Sequence, residues 1–250
     1  KQLFWCLAVG VVLSGCAGPE LKDIKQANIK KVAVISLRTD TRLHEVSRGG
    51  SSGLINMIQD VSKGGAASDL VKGLKEEEQF FLFKEMEDIQ VPLKSWLAKH
   101  DVTVLEPEKT AANSVYLSIP ESQAEAGTYY SIPPYRNIEQ PTADILKKLC
   151  QSLGVDAVVT IRGYFERESY RDYFQLPFTP DNMKFFAKVD VMVFGKEGQT
   201  LYQKRFEGVS PEIIGYDKST YQFSFSDPAM KRVTIKSVEA LEKGIQNEIK

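Results

Sequence analysis

Side chains suited to general-base, nucleophile or metal chemistry are few: the chain of 250 residues has two histidines and three cysteines. His44 has Asp40 and Glu45 close to it in sequence, and His100 ends a stretch with helical spacing. A zinc site needs converging ligands, and no ligand motif such as H-E-x-x-H is present. A basic group at a helix C-terminus is favourable in any case, so both histidines are read as structural or solvated. Ser47-Arg48-Gly49-Gly50-Ser51-Ser52-Gly53 follows an apolar strand, which is the setting of a phosphate loop. The G-x-x-x-x-G-K-[ST] and G-x-G-x-x-G spacings are absent, so the segment is read as a surface loop. No G-x-S-x-G elbow occurs either. Cys150 falls on the apolar face of a helical pattern, where a thiol is expected to be buried and inert. Glu166, Glu168 and Asp172 could be combined into a glycosidase pair, but charges beside a strand end are expected to face solvent. The run Glu76-Glu77-Glu78 is likewise expected to be a solvated helix face. These residues nominate no catalytic group, no metal and no cofactor.

The chain opens on Lys1 without a methionine, so at least one residue is expected ahead of it. An apolar run from Leu3 to Leu13 follows, shorter than the roughly 20 residues that span a bilayer. A basic residue before a short apolar stretch is the pattern of a secretory signal. Leu13-Ser14-Gly15-Cys16 comes directly after it and resembles the lipobox of bacterial lipoproteins. That resemblance implies peptidase recognition of Leu13, Ser14 and Gly15, cleavage before Cys16, and acyl chains (palmitate among them) on its thiol and new amine. One acyl chain holds a protein to a membrane only marginally, whereas several hold it stably. Ala17 rather than Asp follows the cysteine, which by the same resemblance implies the outer membrane. The expected organisation is a signal peptide over 1–15, a lipidated tether over 16–28, and one periplasmic domain over 29–250 with a long insertion at 106–141.

Aromatic residues in the loops form the next signal. Tyr129, Tyr130 and Tyr135 lie near Pro133 and Pro134; Tyr170, Tyr173, Phe174 and Phe178 follow a strand; Tyr216, Tyr221, Phe223 and Phe225 precede the last helix. Exposed Tyr and Phe clusters suit protein interfaces, so these residues are candidates for partner binding. Folding of the loops over the sheet would instead bury their own aromatics.

The elements that must carry these residues follow from periodicity. Hydrophobic residues make up 42% of the chain, charged residues 26%, and the net charge is -1, which excludes wholesale disorder and gives no basic excess for nucleic acid. Lys31 to Leu37 reads as a buried, central, parallel strand, and Arg38 to Ser68 as loop-rich. Ser68 or Asp69 is a candidate cap for a helix through Leu70, Val71 and Leu74. Pro92 marks a helix start with Leu93, Trp96 and Leu97 buried, and Val102 to Leu105 is a second strand. The stretch 106–141 reads as an irregular connection. A helix with Ile145, Leu146, Leu149 and Cys150 inward then ends at Gly154, a C′ cap. Ala157 to Phe165 is a third strand, Met183 to Phe194 alternates as a half-buried strand, Thr200 to Val209 returns as a hairpin, and Asp227-Pro228 opens the last helix. This order predicts an α/β two-layer sandwich: a mixed sheet of about five strands with helices packed on it, enlarged by long loops.

Leu153-Gly154-Val155-Asp156-Ala157 between helix and strand, with Lys31-Val32-Ala33-Val34, resembles one group of periplasmic domains. The group comprises the curli-secretion channel lipoproteins, the lipoprotein activators of penicillin-binding proteins, and the amino-terminal domain of the Tol-system propeller protein. The resemblance spans roughly residues 30 to 250 and names no functional residue. It implies a non-enzymatic component of the envelope with a periplasmic or outer-membrane protein partner. An alternative is a ring or channel of many copies, although 106–141 lacks the sustained alternation of membrane hairpins; another is an envelope enzyme of unknown class.

Overall fold

Lys31–Ser47 forms one strand, β1, in a computed structural model that describes residues 28–47, 76–122, 129–138, 141–170, 181–216 and 227–249. The strand runs ten residues past the expected apolar segment, because Ala157–Tyr170 (β4) pairs with it in parallel as far as Ser47. Register shifts between Val34 and Ser36 and between Asp40 and Leu43 let it bend. Arg38 to Ser47 was expected as loop because its polar residues mask the alternation. In the sheet Arg38 and Asp40 lie on the face opposite the helices Glu76–Glu87, Gln90–Lys99 and Pro228–Ile249, beside Tyr129 and Arg162. The expected helix near Leu70 and the Gly-rich segments after Ser47 lie outside the described residues.

In chain order the remaining elements are α1 (Glu76–Glu87), α2 (Gln90–Lys99), β2 (Thr103–Val104), α3 (Pro107–Ala111), α4 (Ser114–Ser118), β3 (Tyr129–Ser131), α5 (Ala143–Leu153), β5 (Asp181–Gly195), β6 (Thr200–Val209), β7 (Ile214–Tyr216) and α6 (Pro228–Ile249). The sheet order is β2-β1-β4-β5-β6, with β3 also pairing β1 and β7 also pairing β5. Four long strands therefore carry the mixed sheet. β2 pairs in parallel and β3 antiparallel, one after the other, along the outer edge of β1. The expected α/β architecture is observed.

Alternation divides the side chains. Val32, Val34, Ala157, Val159, Phe185, Val189 and Val193 meet α1, α2 and α6 in the larger core. Ala33, Ile35, Val158 and Phe194 turn the other way and meet Leu146, Leu149 and Cys150 of α5, so a second, smaller core closes one end of the opposite face. Trp96 of α2 stands edge-on to Phe206, 5.1 Å between ring centres, which ties that helix to β6. On α6 the inward positions Met230, Val233, Thr234, Ser237, Val238, Leu241 and Ile245 follow helical spacing.

The helix-to-strand segment of the sequence signature has a specific role. Gly154 takes the left-handed conformation, φ 62°, that ends α5. Two residues on, Asp156 Oδ2 accepts from the backbone N–H of Lys30 and of Lys31, both at 2.9 Å. The aspartate thereby fixes the point at which β1 begins.

The stretch 106–141 holds two short helices and β3 rather than an irregular connection alone. Tyr116 fastens it. The ring is fully buried, its hydroxyl donates to Ile35 O at 2.8 Å and accepts from Arg136 N at 2.9 Å, and Arg136 Nη1 donates to Tyr116 O. Tyr116→Phe strands one buried carbonyl and one amide at about 1–3 kcal/mol. The expected result is a lower urea midpoint with an unchanged m-value.

Two expectations about charge are corrected. Glu78 is buried, so the Glu76-Glu77-Glu78 run is not a wholly solvated face. Glu168 is buried beside Arg167, and Glu166 is ion-paired with Lys188 at 2.5 Å, so the β4 acids do not simply face solvent. These positions sit on a long strand inside the sheet, with β5 and β1 on either side. At the α1–α6 contact, burial first, then Asp88 and Glu239, raise the pKa of both Glu85 and Glu242. A carboxyl whose pKa is raised on folding favours the fold below its ordinary value of about 4.3 and loses that contribution as pH rises. Glu85→Gln should therefore raise the melting temperature at pH 7, by about 2 °C. The gain should vanish below about pH 4, in thermal scans at both pH values.

Candidate interaction surface

Beyond α5, the sheet face opposite α1, α2 and α6 carries rows of polar side chains at paired positions. One row reads Arg38, Arg162, Asp190, Arg205 across β1, β4, β5 and β6. The next reads Asp40, Tyr164, Lys188, Glu207. Cross-strand neighbours of opposite charge stabilise such rows. Here the ion pairs run both along and between them. Arg162 Nη2 donates to Asp40 Oδ2 at 2.9 Å, and Arg205 grips Asp190 with two bonds of 2.7 and 3.0 Å. Burial would lower the pKa of Lys188, but hydrogen bonds to Glu166 and Glu207 outweigh it and raise it.

Rings lie between the guanidinium groups. Arg38 lies 4.8 Å from the centre of Tyr129, Arg162 lies 5.6 Å from the same ring and 5.3 Å from Tyr164, and Arg205 lies 5.7 Å from Tyr164. The result is an alternation Arg38–Tyr129–Arg162–Tyr164–Arg205 in which each ring lies near two guanidinium groups. β3 supplies Tyr129 by pairing Thr39 with Tyr130 and Asp40 with Tyr129. Tyr164 is buried, and burial followed by Asp190 pushes its pKa up, so it is a neutral phenol throughout the physiological range. Arg38 is buried too and donates to Asn137 Oδ1 at 2.9 Å. Arg205 is exposed at 54%. Arg162 Nε is buried and has no hydrogen-bond acceptor among the described residues.

The histidines are placed by this arrangement. His44 Nε2 lies 3.1 Å from Asp40 Oδ2, and its ring stands edge-on to Tyr164. His100 caps α2 and stands edge-on to Trp96. Cys150 is buried on the inward face of α5, its pKa pushed up to about 11 by burial and by Asp156. Among the described residues no group of three His, Cys, Asp or Glu side chains is arranged to hold a metal ion, and no helix is long and apolar enough to cross a membrane.

The three loop tyrosines nominated together separate. Tyr129 joins the arginine row. Tyr130 turns to the helix side, 5.9 Å from Phe83, with its hydroxyl on Gln79 Oε1 at 3.3 Å. Tyr135 lines a separate cavity beside α2. Tyr170 ends β4 opposite Asn182, and Tyr216 ends β7 opposite Asp181, so both lie at the same end of β5. Tyr173, Phe174, Phe178, Tyr221, Phe223 and Phe225 lie outside the described residues, as do Leu13, Ser14, Gly15 and Cys16. Sequence reasoning passed over Arg38, Arg162, Asp190 and Arg205, and met Asp40 only as a neighbour of His44. Their signal is the polar half of each alternating strand, where Asp190 and Arg205 fall at facing positions of a recognisable hairpin.

No protein-family model matches the chain, and no curated protein sequence does either. Solved structures give distant overlaps. A lipoprotein from Neisseria meningitidis overlaps 87% of this chain and 97% of its own, at 12% identity and a TM-score of 0.26. A hypothetical protein from Chlamydia trachomatis overlaps 87% and 98%, at 16% identity and 0.28. The C-terminal domain of LpoB from Salmonella enterica overlaps 74% and 90%, at 8% identity and 0.24. Function has to be read from the residues themselves.

Proposed function

We propose that this chain is an envelope lipoprotein, anchored through Cys16 on the periplasmic side of a bacterial outer membrane, that presents the arginine–tyrosine face of its sheet to a protein partner and acts without catalysis. The observation that carries the reading is the alternation itself, Arg38–Tyr129–Arg162–Tyr164–Arg205. Arginine and tyrosine dominate binding hot spots. Arg162 and Arg205 are 33% and 54% exposed, so guanidinium edges in the row are open to a carboxylate brought by a partner. The lipobox resemblance supplies the anchor. Tyr173, Phe174, Phe178, Tyr221 and Phe223 remain further candidates for partner binding.

Crosslinking in intact envelopes, followed by pull-down with the anchor retained, tests the proposal. The wild-type chain should recover a discrete protein partner, and Arg162→Ala or Tyr129→Ala should recover at least about tenfold less, a loss of about 1.4 kcal/mol. Recovery of no partner under several growth conditions, or recovery indifferent to both substitutions, would sink it. A ring of many subunits in native mass measurements would replace the adaptor by self-assembly.

A further inference from the structure

Between α2 and the outer edge of β1 lies an apolar cavity of about 210 Å³. Val34, Leu37, Leu97, Val104, Leu105 and Ile161 wall it. Apolar cavities stay dry, and one of about 150 Å³ is enough to take benzene. This space therefore suits a run of methylenes rather than a sugar or a nucleotide. Polar groups in the lining are confined to Gln90, Lys94 and Tyr135. Lys94 is already paired with Glu106 at 3.6 Å, so the lining offers no uncompensated cation to a free carboxylate. No hydrogen bond among the described residues engages the Tyr135 hydroxyl, which burial keeps neutral with a pKa of about 12. It is a donor fitted to the carbonyl of an ester or amide. Val91 is 66% exposed and also lines the cavity, so the apolar lining continues to the solvent.

Position selects the occupant. Thr103 N donates to Lys30 O at 2.8 Å, which places the entry of the tether one residue from the Val104 wall. About 12 residues separate Cys16 from Asn28, a span of at most about 40 Å. We propose that this cavity seats one acyl chain of the protein's own Cys16 lipid, folded back onto the domain when that chain is outside a bilayer. The inference rests on the reading of Cys16 as lipidated.

The test compares the full chain carrying Cys16→Ala with the mature acylated chain exchanged from detergent into an amphipathic polymer. Each is titrated calorimetrically with N-hexadecanoylglycine methyl ester, a neutral amide-linked acyl chain. The Cys16→Ala chain should bind it saturably at one site. Adding Val104→Trp, which fills the cavity, or Val91→Lys, at an exposed position that leaves the core intact, should weaken binding at least tenfold. The acylated chain should take up none, its site being filled in cis. Absence of saturable binding by the Cys16→Ala chain, while mass spectrometry finds acyl groups on wild-type Cys16, overturns this inference and leaves the anchor standing. Equal binding by the acylated chain overturns the choice of occupant. Absence of acyl groups on Cys16 overturns the anchor and this occupant together.

Discussion

Gly208→Val should strip away much of the stability of this fold, the largest loss expected of any substitution considered for the sheet. A Cβ built at Gly208 would stand 2.2 Å from Leu241 N and 2.2 Å from Ser237 O, both backbone atoms of α6. Flexible side chains can swing away from such a contact, but a helix backbone can escape only by moving as a body. Moving α6 off β6 opens the face that buries Met230, Val233, Val238, Leu241 and Ile245. The close approach is prepared from the helix side as well. Thr234 and Ser237 are small enough to bring the backbones together, and each returns its hydroxyl to its own helix, on Met230 O and Thr234 O. Overpacked cores lose about 1–3 kcal/mol, occasionally more. With backbone on both sides of the clash, about 4 kcal/mol is expected for valine and about 2–3 for alanine, against a typical total of about 5–15. Gly163 is the internal control, because its added Cβ would meet the Met86 side chain (Cγ at 2.6 Å, Sδ at 3.1 Å, Cε at 3.4 Å), which repacks more readily than backbone. Urea titrations followed by far-UV circular dichroism should rank Gly208→Val far below Gly208→Ala, and Gly208→Ala below Gly163→Ala. A Gly208→Ala protein as stable as the wild type would mean that α6 does not lie this close to β6.

What the sequence displayed was its apolar periodicity. Val32 to Leu37, Leu146 to Leu149, and Phe185 to Val193 each declare an element, because burial on one face writes a period of 2 or 3.6 into residue types. Gly154 and Pro92 mark boundaries for equally local reasons. The second half of β1 has no such signature. Arg38, Asp40 and His44 are stabilised by Arg162, Tyr129 and Tyr164, residues far away in sequence, and long-range pairing of polar groups leaves no local period. The same holds for the candidate surface. Its tyrosines were visible as aromatic residues, but whether each faced the sheet, the helices or a cavity depended on the register of β3. Glu78 and Glu168 were misjudged because charge type alone carries no information about depth.

Cys16→Ala should abolish acyl labelling outright and leave the unprocessed precursor. The argument is chemical: the lipid would be attached through the Cys16 sulfur, alanine has none, and in the lipoprotein family that the lipobox resembles, cleavage follows lipid attachment. No described helix can substitute as a membrane anchor, since none is long and apolar enough to cross. A single acyl chain would bind only marginally and several bind stably, so the whole attachment depends on one atom. Cys150 makes the readout clean. It is the one cysteine that processing before Cys16 would leave besides Cys16 itself, and it is buried with its thiol pushed up to about 11, so almost no thiolate is present to be acylated in error. Growth with radiolabelled palmitate, then immunoprecipitation, should show a labelled mature band for the wild type and for Cys150→Ala. Cys16→Ala should give only an unlabelled, slower band. Normal labelling of the Cys16→Ala chain would remove the anchor, and with it the outer-membrane placement of the arginine–tyrosine face.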